Sequence, residues 1–421
     1  MNGEYIVRHI DRYLQEWKQS ASRKPLLLRG ARQVGKSSSV RELAKQLEYF
    51  VEVNFERDDR ELRVKEVFER GLSPKRICEE LSVLYNTPIA EGRTLLFFDE
   101  IQGCLPAISS LRFFYEEMPG LHLVAAGSLL EFALQELPSF GVGRIRSLFM
   151  YPFSFDEYLC AMQHEDLANA VQRATPEAPL SEALHHQCLH HLVRFIAIGG
   201  MPEVVAAYAH GSSLHECQMI LDDLMLTFYD DFAKYKSRVP TSMLRDVFRS
   251  AVEQTGGKFV YSRASQTAKH EQIKKAVELL SLAGLMHPVV HTSANGLPLG
   301  AEVNPKICKY LVFDTGILQR FLRLDISQLL LGKTLTQINK GGIAELFAGL
   351  ELLKAAPCHY PEQLYYWQRE ERGSQAEVDY VVQRGADVIP VEIKSGTRGA
   401  MQSLSIFLSE KKSPFAVRCS L

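Results

Sequence analysis

The sequence predicts an α/β protein whose first domain is built on a parallel sheet around a phosphate-binding loop. Two stretches carry this prediction. The first combines an apolar run at 26–28, a glycine-containing segment at 30–37 and an amphipathic helical stretch at 38–47, in the order strand, loop, helix. The second is the apolar stretch 94–98, which ends in Asp99 and Glu100. Continuous apolar runs of this kind are typical of buried parallel strands.

The segment 30–37 reads Gly-Ala-Arg-Gln-Val-Gly-Lys-Ser and fits the pattern G-x-x-x-x-G-K-[ST]. Lys36 is expected to reach the β and γ phosphates of a nucleotide triphosphate, and the Ser37 hydroxyl to ligate Mg²⁺. The residues expected to contact the nucleotide are Gly30, Arg32, Gln33, Val34, Gly35, Lys36, Ser37, Ser38 and Ser128. The alternative is a glycine turn with an incidental lysine, which the flanking strand and helix disfavour.

Asp99 and Glu100 stand where ligands bind in open α/β sheets, at the carboxyl end of a strand. We expect Asp99 to hold Mg²⁺ through water, and Glu100 to orient and polarise the attacking water. This pair therefore predicts a hydrolase and not only a nucleotide-binding protein. An acidic pair that caps the next helix is the alternative.

Two further polar residues are candidates for the same site. Ser128 follows the apolar strand 122–126 and is expected either to sense the γ phosphate or to cap the helix 129–137. Arg144 lies in a glycine-rich turn at 141–146 and is expected to act as an arginine finger, in its own subunit or in a neighbouring one. A solvated turn arginine is the alternative.

The bulk properties are those of an ordinary multidomain protein. The chain has 421 residues, of which 46% are hydrophobic and 23% charged, and its net charge is −2. This balance argues against a molecule that binds polyanions over its whole surface. Its eight cysteines form no C-x-x-C pair, which indicates reduced thiols. With no signal-peptide core and no apolar run near 18 residues, we expect a cytoplasmic protein without a membrane segment.

Several short motifs together resemble the AAA-type ATPases of bacteria and archaea that are joined to a C-terminal domain of unknown function related to restriction-endonuclease-like folds. They are the phosphate loop, Phe-Phe-Asp-Glu-Ile-Gln at 97–102, Ala-Gly-Ser at 126–128, Gly-Arg at 143–144, Tyr-Pro-Phe-Ser-Phe-Asp-Glu-Tyr at 151–158 and Gly-Gly-Met-Pro-Glu at 199–203. The resemblance implies an AAA-type core that uses ATP and Mg²⁺, in which the Glu100 strand is not adjacent to the phosphate-loop strand.

Four regions are expected. They are the ATPase core at 1–150, a helical lid at 151–235, a winged-helix-like connector at 236–335 and a nuclease-like α/β domain at 336–421. The window 234–275 holds ten Lys/Arg and three acidic residues, a net charge of +7. Its helices precede a hairpin pattern, so the connector resembles a winged helix that contacts DNA. A connector that binds protein is the equal alternative.

The stretches 376–382 and 388–394 predict a hairpin, with a two-residue turn at Gly385-Ala386. In this register Asp379 faces Glu392, and both share a face with Lys394. Two opposed carboxylates repel each other unless a cation or a proton lies between them, which favours a divalent metal.

This pattern resembles the PD-(D/E)XK nucleases, although Val378 replaces their usual proline. The resemblance implies that Asp379 and Glu392 ligate Mg²⁺ or Mn²⁺, that Glu345 completes the site, and that Lys394 activates water. Because the chain ends at Leu421, soon after the predicted strand 415–418, we expect an incomplete nuclease core. Solvated cross-strand ion pairs are the alternative.

Two functions follow from these observations. In the first, a Mg²⁺-dependent ATPase couples its nucleotide state to a DNA-contacting, nuclease-like C-terminal region. In the second, the chain is a regulatory ATP switch whose C-terminal domain binds a protein partner, or a further copy of the chain, without nuclease activity.

Overall fold

The computed structural model describes residues 5–136, 143–235, 238–324, 340–370, 376–394, 401–411 and 413–420. The chain divides into two compact units. The first runs to Ala168 and also contains Met201–Ala206 and Pro357–Pro361, whereas the second contains Asn169–Gly200, Ala207–Ala356 and the residues from Glu362 onward. Within the described ranges, no helix has the length and apolarity that crossing a membrane requires.

A five-stranded parallel sheet forms the centre of the first unit. Its strands are β1 Leu26–Arg29, β2 Tyr49–Asn54, β3 Thr94–Asp99, β4 His122–Ala126 and β5 Arg146–Phe149. They lie in the order β2-β3-β4-β1-β5, and every neighbouring pair is parallel. As predicted, β3 is not adjacent to β1, because β4 lies between them. The carboxyl ends of β1 and β3 therefore share one edge of the sheet.

Helices cover this sheet. They are α1 His9–Gln19, α2 Lys36–Ala44, α3 Asp59–Leu62, α4 Val64–Glu69, α5 Pro74–Leu84, α6 Leu105–Glu117, α7 Leu130–Glu136 and α8 Phe155–Ala161. The charged region 58–85 forms three helices, because Arg63 (φ 51°) and Gly71 (φ 130°) take backbone conformations with positive φ that end a helix. The predicted helix 129–137 begins at Leu130, and residue 137 lies outside the described ranges.

Helices continue along the rest of the chain. They are α9 Glu165–Arg173, α10 Glu182–Ile198, α11 Pro202–Ala209, α12 Leu214–Asp231, α13 Thr241–Glu253, α14 Tyr261–Ala264, α15 His270–Leu282, α16 Thr315–Phe321, α17 Lys340–Ala355 and α18 Gln402–Lys411. Ser181, Ser213 and Asp314 begin α10, α12 and α16, and each side chain accepts a hydrogen bond from a backbone N–H of the first turn. Residues 175–179 lie between α9 and α10.

The second unit contains a six-stranded mixed sheet. Its strands are β6 Met286–Thr292, β7 Val303–Val312, β8 Leu364–Gln368, β9 Glu377–Arg384, β10 Asp387–Lys394 and β11 Val417–Ser420. The order is β11-β10-β9-β8-β6-β7, with parallel pairing of β6 with β8 and of β10 with β11. The expected border between a connector at 236–335 and a domain at 336–421 does not separate two sheets. The reason is that β6 pairs directly with β8 across this border.

The hairpin of β9 and β10 has the predicted register. Its described pairs run from Asp387 opposite Arg384 to Val391 opposite Tyr380. Gly385, the first turn residue, has a φ of 61°, which glycine adopts without strain. The turn thus fixes which carboxylates of the two strands lie on one face.

Candidate functional site

A cavity of about 840 Å³ lies in the first unit, at the carboxyl ends of β1 and β3. This volume is in the range of small-molecule and cofactor sites. The predicted site residues that line it are Arg32, Gln33, Gly35, Lys36, Ser37, Ser38, Asp99, Glu100 and Ser128. Tyr5, Ile6, Phe153, Pro202 and Ala206 also line it and supply apolar surface. Charged, polar and apolar side chains thus all contribute to the lining of the cavity.

The phosphate loop connects β1 to α2 through two glycines with positive φ. Gly35 (φ 100°) is the residue before α2, and Gly30 has a φ of 140°. A Cβ atom at Gly30 would overlap the carbonyl oxygen of Met150, so only glycine fits there. Val34 is fully buried beneath the loop. The loop therefore presents backbone N–H groups and the first turn of α2 to the cavity, the arrangement that binds phosphate.

Lys36 is buried at the base of this loop. Its Nζ donates hydrogen bonds to the carbonyl oxygens of Gly30 (2.9 Å) and Ala31 (2.7 Å). Burial lowers the pKa of Lys36 to about 8, against the opposing influence of Glu100 and Asp99. An added negative charge would favour the protonated form of Lys36. Its ammonium group is therefore suited to bind the phosphate oxygens of a nucleotide.

Ser37 and Asp99 lie side by side in the cavity. The Ser37 hydroxyl donates to Asp99 Oδ1 at 3.1 Å, and Asn54 Nδ2 donates to Asp99 Oδ2 at 3.3 Å. Burial, followed by the charge of Glu100, raises the pKa of Asp99. A hydroxyl beside one carboxylate fits Mg²⁺, which prefers one or two carboxylates together with substrate phosphates and water. Sequence reasoning missed Asn54, which ends the neighbouring strand β2.

Glu100 has a left-handed backbone conformation, with φ 49° and ψ 43°. Such conformations cost energy in residues other than glycine and occur preferentially at functional sites. Its Oε2 accepts hydrogen bonds from Gln102 Nε2 (2.6 Å) and from the Ser128 hydroxyl (3.2 Å). Burial alone would raise the pKa of Glu100, but the hydrogen bonds from Gln102 and from the Ser128 backbone N–H, together with the charges of Lys36 and Arg32, hold it below its ordinary value. Glu100 is therefore ionised at neutral pH and fixed in orientation.

Arg144 is placed differently from the other predicted site residues. Its half-exposed side chain pairs with Glu116, and it is not among the described residues that line the cavity. Gly141 and Val142, which precede it in the predicted turn, lie outside the described ranges. This position does not support a role for Arg144 in the nucleotide site of its own subunit.

An ion pair that sequence reasoning missed supports the phosphate loop. The buried Arg8 guanidinium pairs with Glu157 (Nε to Oε1, 3.0 Å) and donates from Nη1 to the Val34 carbonyl at 3.1 Å. It also donates to the Tyr151 carbonyl at 2.9 Å and lies 3.9 Å from the centre of the Phe153 ring. The available signal was the motif at 151–158, which contributes three of these partners.

Two of the carboxylates predicted to bind metal in the C-terminal region, Glu345 of α17 and Asp379 of β9, lie beside an additional lysine. Lys309 of β7, whose side chain is 2% exposed, contacts Glu345 Oε1 at 2.7 Å and lies 3.9 Å from Asp379 Oδ1. Glu392 pairs with Lys394. Burial raises the pKa of Glu345 to about 7, although the charge of Lys309 opposes this rise. An ammonium group thus lies within 4 Å of two of the three carboxylates that we expected to bind a metal ion, Glu345 and Asp379.

In the described part of the chain, no group of three or more His, Cys, Asp or Glu side chains is arranged to hold a metal. Sequence reasoning did not find Lys309, because nothing in its local sequence distinguishes it from the other lysines of the connector. Its role depends on the pairing of β6 with both β7 and β8.

Models of known families match three stretches of the chain. Residues 22–159 match a family model described as an AAA domain. Residues 189–328 and 340–420 match two models described as domains of unknown function, DUF8612 and DUF4143. No curated protein matches the chain.

Two solved structures match this chain at low sequence identity. A Walker-type ATPase of Pyrococcus abyssi is 16% identical, with a TM-score of 0.49, over 76% of this chain and 96% of its own. The Orc1 protein of Aeropyrum pernix, solved in complex with DNA, is 12% identical, with a TM-score of 0.26, over 79% of this chain and 94% of its own.

The matched family model spans the phosphate loop, the acidic end of β3 and the parallel sheet that brings them together. Residues 22–159 of this chain are therefore similar to AAA domains, with a phosphate loop and an acidic strand end on one parallel sheet.

Proposed function

We propose that the chain is an ATP hydrolase whose nucleotide state controls a DNA-contacting C-terminal region. The observation that carries the hydrolase part is the position of Glu100, whose ionised carboxylate is fixed in the same cavity as Lys36 and the Ser37–Asp99 pair. Glu100 accepts a proton from the attacking water, and Lys36 neutralises charge on the transferred phosphate. Mg²⁺ held by Ser37 and Asp99 would neutralise charge on the β and γ phosphates. Ser128, whose hydroxyl donates a hydrogen bond to Glu100, senses the γ phosphate.

Arg144 is proposed to act on the nucleotide of a neighbouring copy of the chain. Its guanidinium is half-exposed and lies away from its own cavity, which leaves it accessible to a second subunit. An arginine supplied by another subunit stabilises charge in the transition state of phosphoryl transfer. A homo-oligomer that forms on ATP binding fits this role.

Lys36→Ala is expected to weaken ATP binding about 10- to 100-fold. The variant removes the ammonium that contacts the phosphates, and hydrogen bonds to charged groups are each worth about 1.5–3 kcal/mol. Isothermal titration with ATP and Mg²⁺ measures the change. Lys75→Ala, which changes an exposed lysine of α5, is the matched control and should bind ATP as the wild type does. A folded Lys36→Ala protein with unchanged affinity would contradict the assignment.

The proposed DNA contact depends on the basic surface of α13 to α15. Of the basic residues expected in the window 234–275, Lys258 faces Glu377 and Lys234 pairs with Asp231, while Lys236 lies outside the described ranges. Six others are exposed, namely Arg245, Arg249, Arg263, Lys269, Lys274 and Lys275. These helices precede the antiparallel strands β6 and β7, the order of elements in a winged helix. Exposed basic residues on such helices favour phosphate contacts.

Replacing Lys274 and Lys275 together by glutamine is expected to weaken DNA binding and to reduce its salt dependence. Each lysine that contacts a phosphate contributes about one unit to the slope of log K against log salt, so the slope should fall by about 2. Fluorescence anisotropy with a DNA duplex over a salt series measures it. Arg60→Gln/Lys75→Gln removes the same charge from exposed positions of the first unit and should leave the slope unchanged.

A second candidate function is a regulatory ATP switch whose C-terminal unit binds a protein partner and not DNA. The observation that favours it is the ammonium of Lys309 within the acidic cluster, since it pairs with carboxylates that a nuclease would use to hold its metal ion. If the wild-type protein binds no DNA form at low salt, while ATP still changes its assembly state, the switch is the correct function.

A further inference from the structure

The acidic cluster of the second unit combines side chains that are distant in the sequence. Four carboxylates meet on one side of the sheet, from α17, β9 and β10, and a buried lysine of β7 lies among them. The members are Lys309, Glu345, Glu377, Asp379 and Glu392.

Lys309 makes the contacts that a bound cation would make. Its Nζ lies 2.7 Å from Glu345 Oε1, 2.7 Å from Glu377 Oε1 and 3.9 Å from Asp379 Oδ1. The Tyr366 ring centre is 5.1 Å away, which adds a favourable cation–π contact. An ammonium group has three N–H donors and no acceptor. Glu345 and Glu377 lie within hydrogen-bonding distance of it, whereas Asp379 interacts through its charge at a longer distance.

Other groups already use further oxygens of the same carboxylates. Asp379 Oδ2 accepts a hydrogen bond from the Ile393 N–H at 2.8 Å, and Glu392 Oε1 pairs with Lys394. Lys258 Nζ lies 3.6 Å from Glu377 Oε2. Each of the four carboxylates therefore has a donor or a cation on at least one oxygen.

The charges nearly balance without a metal ion. Four carboxylates face three lysines, Lys258, Lys309 and Lys394. A divalent ion would add two positive charges to a buried site, and Mg²⁺ needs near-octahedral oxygen ligands. Glu392 Oε2, which is buried, has no hydrogen-bond partner among the described residues, so it offers one oxygen to an ion.

We propose that Lys309 is the built-in cation of this cluster, and that a divalent metal ion binds there only when Lys309 is removed. The C-terminal sheet then keeps the acidic pattern of a metal-dependent nuclease but uses the lysine to hold β7, α17 and β9 together. This inference goes beyond the proposed function, since neither ATP hydrolysis nor DNA contact depends on it.

The test counts Mn²⁺ ions bound to the full chain by electron paramagnetic resonance, with the wild type, Lys309→Met and Lys309→Met/Asp379→Asn measured in parallel. Any ion at the nucleotide site is common to all three proteins and cancels. We expect one additional Mn²⁺ per chain in Lys309→Met, bound at least about tenfold more tightly than the wild type binds any ion at the cluster. Asp379→Asn in the same protein should abolish it.

Thermal unfolding provides a second readout. Saturating Mn²⁺ should raise the Tm of Lys309→Met by about 5 °C relative to its effect on the wild type, because an ion that binds only the folded state stabilises it. If Lys309→Met does not fold, wild type and Asp379→Asn decide the question. Equal numbers of bound Mn²⁺ in these two proteins support the proposal. A Mn²⁺ ion in the wild type that Asp379→Asn removes would overturn it, as would a folded Lys309→Met protein that gains no ion.

Discussion

Glu100→Gln lowers the kcat for ATP hydrolysis by a factor of about 10²–10⁴ and leaves ATP binding within about twofold of the wild type. Loss of a general base typically has an effect of this size. The amide keeps the shape of the side chain and can still accept hydrogen bonds from Gln102 and Ser128, so the cavity should not collapse. It cannot take up the proton of the attacking water, which is why the effect falls on kcat and not on affinity.

Phosphate release at saturating ATP measures the change in kcat, and titration calorimetry measures ATP affinity in the same preparations. Glu61→Gln, an exposed position of α3, is the matched control and should hydrolyse ATP at the wild-type rate. Unchanged turnover in Glu100→Gln would remove this residue from the catalytic role. Equal losses of binding and turnover would show instead that Glu100 supports the fold of the cavity.

The residues of the candidate nucleotide site could be proposed from the sequence because they belong to short continuous stretches of the chain. The phosphate loop lies between β1 and α2 in eight consecutive residues, and Asp99 and Glu100 follow one apolar strand directly. A strand has a strict two-residue alternation, so the hairpin of β9 and β10 could be aligned from its turn at Gly385. In each case, the residues that decide the geometry lie within a few positions of one another.

The interactions that sequence reasoning missed connect distant parts of the chain. Arg8 and Glu157 are 149 positions apart, and Lys309 and Glu345 are 36 apart. No short sequence pattern predicts such an ion pair, because each charged residue by itself is typical of a solvated surface. The pairing of β6 with β8 was missed for the same reason, and it is this pairing that joins β7 and its lysine to the C-terminal sheet.

Arg8→Met is expected to destabilise the first unit by about 3–5 kcal/mol, because it leaves the buried Glu157 carboxylate without its cation. For a unit of this size, the Tm should fall by about 6–20 °C. The same change removes the hydrogen bond to the Val34 carbonyl and the contact with Phe153, so the phosphate loop loses a support. Differential scanning calorimetry without nucleotide measures the effect.

Arg12→Met provides the matched control, since Arg12 also lies on α1 but forms an exposed pair with Glu16. Exposed pairs contribute little, so its Tm should stay within about 2 °C of the wild type. If both variants lose the same stability, the helix position and not the buried pair is responsible. The double variant Arg8→Met/Glu157→Gln should be more stable than Arg8→Met, because it removes the uncompensated charge together with its partner.

The pH dependence of the Tm difference between the wild type and Arg8→Met tests separately whether the effect of Arg8 is electrostatic. Burial alone would raise the pKa of Glu157, but the charge and hydrogen bonds of Arg8 hold it below its ordinary value. A group whose pKa is lower in the folded state stabilises the fold above its unfolded pKa, and this contribution is lost as the pH falls through the folded value. The Tm difference between wild type and Arg8→Met should therefore be full at neutral pH and narrow below about pH 4. A difference that is independent of pH would assign the effect of Arg8 to packing against Phe153 and not to its charge.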